Sequence, residues 1–238
     1  MYYLEIANYD WMELLNFYSV PFRAKFIPAK IWKDLDNYRN DSVGLGNYVK
    51  KWRTKIEWRK EPSKAKRFKR GVSIAGEYDI EKRQCCLIIY TDYYNTFPFT
   101  QNSWDSFKFR LITCLQHEII HYMQYDRRDD QWSHYVVPYK KVLNKRKNHE
   151  RQYLSEFDEI QAYAHCVLMD FKYRRPNMDV ETLLNRCKTH RDSRTLHYFL
   201  STFDYDFKNN AAIPKLMQQI IKWDRKYHRT IRASRRPK

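Results

Sequence analysis

The chemistry in this chain concentrates first at His117, Glu118 and His121, in the run His117-Glu118-Ile119-Ile120-His121. Residues four apart share one face of a helix, so both imidazoles can aim a ring nitrogen at a single ion. Zinc takes imidazole nitrogen at about 2.0–2.1 Å and is usually four-coordinate, which calls for a third protein ligand and leaves one place for water. The ion lowers the pKa of that water from about 15.7 toward about 7, and Glu118, beside His117, is suited to remove its proton. The competing interpretation is a helix with two unrelated histidines, one exposed and one packed. The 238 residues contain 8 His, and at this composition the bare motif arises by chance in roughly one chain in a hundred.

A third ligand must come from elsewhere. Glu159, beyond His121 in Tyr153-Leu154-Ser155-Glu156-Phe157-Asp158-Glu159-Ile160-Gln161-Ala162-Tyr163-Ala164, stands near the start of a second predicted helix. Ala162, three positions on, is small enough to let that helix approach the first closely. Glu156 lies on nearly the same face and competes for the role. Glu156 and Asp158 otherwise read as acidic first-turn residues that favour the positive end of the helix.

HEIIH followed by a Glu-x-x-Ala element on a later helix resembles the zincin metallopeptidases of the gluzincin type, which bind their metal through two His and one Glu. The phrase YLSEFDEIQAYAH is similar to short zincin-like peptidases encoded by bacteriophages. The resemblance covers about residues 72–173. It implies a mainly helical α+β fold with a small sheet before the HExxH helix. It implies Zn²⁺ on His117, His121 and Glu159, Glu118 as general base, and hydrolysis of a peptide or protein substrate. Such a protein would work in the host cytoplasm or in the virion. In zincins a sheet edge above the metal takes an extended substrate by strand addition. One position departs from the pattern: many gluzincins have an acid one residue after the small residue, orienting a metal-bound His, and here that residue is Tyr163. Asp158 or Glu156 would have to supply that contact. His197 and Tyr198 are candidates to stabilise an oxyanion. His134 and His149 could approach from a loop, whereas His165 reads as structural.

These residues need elements to hold them. Ser103 and Asp105 suit the start of a helix whose apolar positions are Phe107, Leu111, Ile112, Leu115, Ile119 and Ile120. Val72–Tyr78 and Gln84–Thr91 read as two strands joined by a polar turn. A second strong helix is predicted from about Ser155 to Tyr173, with Ile160, Tyr163, Ala164, Val167, Leu168 and Phe171 on its buried face. Asp158, three residues after Ser155, gives it a modest N-terminal signature. Residues 126–152 read as a polar connection, Thr96–Gln101 as a loop, and Val180–Lys188 and Ile213–Lys226 as further helices. The stretch from Leu4 to Leu35 mixes aromatics and aliphatics at helical intervals, broken at Pro21 and Pro28. The resulting organisation is an N-terminal helical and basic segment, 1–71, a metal-binding core, 72–175, and a C-terminal helical segment with a basic tail, 176–238.

Composition narrows the function classes. Lys+Arg 45 against Asp+Glu 28 gives a formal net charge of +17. The basic residues gather in 50–70, 140–151 and the tail from Lys222. Such clusters ask for a polyanion or an acidic protein, with Lys50, Lys51, Arg53, Lys66, Arg67, Lys69 and Arg70 as candidate nucleic-acid contacts and Trp52, Trp58, Phe68 and Trp223 as candidate stacking partners. The other functional class is therefore a phage structural or packaging protein that contacts nucleic acid or virion proteins. No run approaches the roughly 20 apolar residues that cross a bilayer, so no membrane role is expected. The first residues lack the features of a secretory signal. Five cysteines at irregular spacing, with no Cys-x-x-Cys, suggest neither a disulfide framework nor a zinc ribbon and fit a reducing compartment. Nucleobase deaminase, metzincin, phosphate-loop and serine-hydrolase signatures are missing from the sequence.

Overall fold

The computed structural model describes residues 29–39, 41–61, 72–79, 81–91, 101–128, 133–175, 178–186 and 193–234. They form a mainly helical α+β protein with one three-stranded sheet ahead of the long histidine-bearing helix. By packing they divide into two compact units, one ending at Tyr122 and one beginning at Met123.

The first unit opens with helices α1 (Ala29–Asp36) and α2 (Ser42–Val49), followed by a 3₁₀ turn at Lys50–Trp52. Asp41 caps α2 by accepting a hydrogen bond from the Gly44 amide at 2.8 Å. Strands β1 (Thr54–Lys60), β2 (Val72–Asp79) and β3 (Gln84–Thr91) make the sheet, in the order β1-β3-β2. β3 is central, parallel to β1 and antiparallel to β2, and its run Leu87-Ile88-Ile89-Tyr90 is buried. The two strands expected around the polar turn are therefore present. Helix α3 (Gln101–Asp126) follows, with Trp104, Phe107, Leu111, Leu115 and Ile119 buried at intervals of three and four. Its Lys108 is fully buried, and the ammonium is matched by Asp36 at 2.5 Å and Asp105 at 3.2 Å beneath the Trp32 ring. Trp104 Nε1 also donates to Asp36, at 2.9 Å, which ties α1 to α3.

The second unit is helical: α4 (Lys145–Ser155), α5 (Phe157–Arg174), α6 (Val180–Arg186), α7 (Arg194–Thr202) and α8 (Ala212–Ser234). Helix α5 lies at its centre, packing Ile160, Ala164, Val167, Leu168 and Phe171 against Phe199 and Leu200 of α7 and Ile213, Leu216 and Ile220 of α8.

Several expectations change. Part of the basic cluster 50–70, Thr54–Lys60, is a strand at an edge of the sheet among the described residues. Lys55 and Arg59 flank Glu57 at 2.9 and 2.7 Å, so the one acid of the strand is shared between two cations while β3 supplies the backbone partners. The polar connection contains α4, whose cap is Asn144, accepting from the Lys147 amide at 3.0 Å. Ser155 ends α4 instead of starting α5, because Glu156 is extended (φ −62°, ψ 132°) and separates the two helices. That break is held from outside: Val137 N donates to Ser155 O at 2.7 Å and Phe157 N to Tyr135 O at 3.0 Å. α3 starts at Gln101, so Ser103 falls inside its first turn. The stretch from Leu4 lies outside the described residues until α1, and so do most of the Thr96–Gln101 loop and residues 235–238 of the tail.

Candidate metal centre

The site is built from one long helix and one interrupted one. On α3, His117 and His121 stand one turn apart with their Nε2 atoms separated by 3.0 Å. Glu159, in the first turn of α5, offers a carboxylate oxygen, and one ligand atom from each of the three residues lies within 4.8 Å of the others. His121 and Glu159 are each 3 % exposed, and His117 is half-buried. Two ligands about 2.0–2.1 Å from a tetrahedral ion stand about 3.3–3.4 Å apart, so the imidazole pair is close to chelating distance as it stands. Two imidazoles and a carboxylate are a donor set that zinc accepts, and of the two glutamates weighed it is Glu159 that joins the histidines in this cluster. Glu156 serves the backbone break, where it bridges to Val136.

Glu118 is 5 % exposed and lies against strand β2. A Cβ added at Gly76 would fall 2.2 Å from Glu118 Oε1 and 2.7 Å from its Cγ and Cδ. Gly76 pairs with Leu87 of β3 and needs no unusual backbone angle, so the missing side chain is what makes room for the carboxylate. On the neighbouring strand, burial pushes the Cys85 thiol up in pKa, and the nearby Glu118 charge adds to the effect.

No family model matches this chain, and neither curated proteins nor solved structures give a significant match.

The remaining expected residues have other partners. Asp158, a candidate to orient a histidine, is 1 % exposed and gives both carboxylate oxygens to Arg128, at 2.9 and 2.5 Å. Tyr163 packs on Tyr198 and Phe199. His197 Nδ1 pairs with the Tyr205 hydroxyl, and the Tyr198 hydroxyl donates to Glu150 at 2.5 Å. Burial and then that bond push the Tyr198 hydroxyl up in pKa, so it stays protonated. His134 and His149 are exposed. His165 is fully buried with its ring 5.0 Å from Trp223, in line with a structural role.

Of the candidate nucleic-acid contacts, Lys66, Arg67, Lys69 and Arg70, with Phe68, lie outside the described residues. Lys50 donates to Asn47 at 2.9 Å, Lys51 sits over the Tyr48 and Trp52 rings, and Arg53 closes the 3₁₀ turn with φ 51°. Trp52 is 1 % exposed and is core, not a stacking platform. Trp223 donates its Nε1 to Gln161 O at 3.0 Å.

Reading the sequence passed over Gly76, Gln124 and Arg128, although the last two continue the His117–His121 stripe at helical spacing.

Proposed function

We propose that this protein is a zinc-dependent peptide hydrolase, with His117, His121 and Glu159 as the metal ligands and Glu118 as the general base. The observation that carries this reading is the convergence of those three ligand atoms, with a second acidic side chain, Glu118, next to His117 in the chain and outside the ligand set. Zinc, when bound there, would supply Lewis acidity toward a water molecule and a substrate carbonyl. Glu118 would accept the proton of the attacking water and return it to the departing amine, the two transfers expected of one well-placed carboxylate. Strand β2, an edge of the sheet among the described residues, runs past Glu118 at Gly76 and offers backbone groups to an extended peptide.

The test compares metal content and cleavage in three variants. Glu159→Ala should lose zinc and Glu156→Ala should retain it. Glu118→Gln should keep zinc and lose cleavage of a mixed peptide library by about 10²–10⁴-fold. Cleavage by Glu118→Gln at the wild-type rate would remove the proposed role of that residue, and zinc retention by Glu159→Ala would remove the ligand assignment.

A further inference from the structure

The stripe that carries the histidines does not stop at His121. Steps of four, three and four residues lead from His117 to His121, Gln124 and Arg128, along one side of α3 and into the turn that ends it. The last two side chains reach the first turn of α5. Gln124 Nε2 donates to the Asp158 carbonyl at 3.1 Å and to Gln161 Oε1 at 2.9 Å. Arg128 grips Asp158 with both terminal nitrogens, and that carboxylate is almost wholly shielded from water. Helix α5 has no side-chain cap of its own, because Glu156 makes no such bond. Its N-terminal turn, which includes Glu159, is held by these two residues from the end of α3 together with the Phe157–Tyr135 backbone bond.

We propose that Gln124 and Arg128 are positioning residues for the third metal ligand, and the inference rests on the metal-site reading above. Their bonds to Asp158 and Gln161 set the height and rotation of the first turn of α5 and so hold the Glu159 carboxylate within reach of the two imidazoles. The pairing suits the task. A two-pronged arginine–carboxylate contact fixes orientation as well as distance, which a lysine, as a point charge, does less well. A metal site is sensitive to such support: outer partners of metal ligands are commonly worth about 10–100-fold in metal affinity.

The experiment is a zinc dissociation constant for the full chain, by competition with a chromogenic chelator, together with a melting curve of the metal-free protein. Arg128→Gln should weaken zinc by about 10–100-fold, with Arg128→Lys recovering part of the loss. Arg151→Met, which disturbs a buried arginine elsewhere in the same unit, should lower the melting temperature and leave zinc affinity unchanged. Should Arg128→Gln not fold, Gln124→Met makes the same test and should weaken zinc in the same direction. Wild-type zinc affinity in the folded Arg128 and Gln124 variants would overturn the inference. A wild-type protein that takes up no zinc would overturn the metal-site reading beneath it.

Discussion

Replacing Gly76 by alanine should disable catalysis without touching a metal ligand. The added methyl would lie 2.2 Å from Glu118 Oε1 and 2.7 Å from both Cγ and Cδ. Carbon and its non-bonded neighbours prefer about 3.5–4.0 Å, so the carboxyl group must retreat by roughly 1 Å, and the whole side chain has to turn because three of its atoms are crowded. Displacing a catalytic group by about 1 Å typically costs about 10²-fold. Gly76→Ala should therefore lower peptide cleavage about 10²-fold while zinc content stays at the wild-type level, and the added methyl should cost the folded state little beyond the local rearrangement. The assay pairs a peptide cleavage rate with metal analysis of the same preparation. Cleavage by Gly76→Ala within a few-fold of wild type, alongside an inactive Glu118→Gln, would refute the reasoning that this glycine seats the base. Loss of zinc in Gly76→Ala would refute it differently, by tying β2 to the ligands themselves.

Two further predictions concern the second unit. Arg151 is 1 % exposed and donates to Thr202 O at 2.8 Å, Lys140 O at 2.6 Å and Asp204 at 2.6 Å; Arg151→Met strands two carbonyls and should cost about 2–4 kcal/mol, read as a lower denaturant midpoint at unchanged slope. Lys147, hydrogen-bonded to Asp204, and then Arg151 hold the Asp204 carboxyl below its usual range. A lowered folded value means that its contribution is complete above the ordinary carboxylate pKa of about 4 and is lost as pH falls through the folded value. The melting temperature of wild type should thus exceed that of Asp204→Asn at neutral pH and converge with it in acid; a gap that widened in acid would contradict the sign.

Much of the site was legible because its signal is local. The HEIIH spacing and the apolar stripe of Leu111, Leu115 and Ile119 both depend on a single helix, and β3 shows itself as a short apolar run. What escaped was written in tertiary contacts. Strand β1 hides among lysines and arginines because an edge strand needs one paired side and can expose the other. Helix α4 has few apolar positions, and its buried Arg151 meets carbonyls and Asp204 where a hydrophobic residue would have advertised a core face. The Glu156 break has no proline or glycine to announce it. Asp158 looked like a helix-terminal acid and proved to be the buried half of an ion pair with half-buried Arg128, to which nothing near it in sequence points.

The interruption at Glu156 has one more consequence. From Lys145 to Arg174 no proline or glycine forbids a single unbroken rod, and backbone bonds from Tyr135 and Val137 hold the bend. The direction in which Glu159 leaves its helix is thus inherited from a joint made by backbone that lies outside that helix.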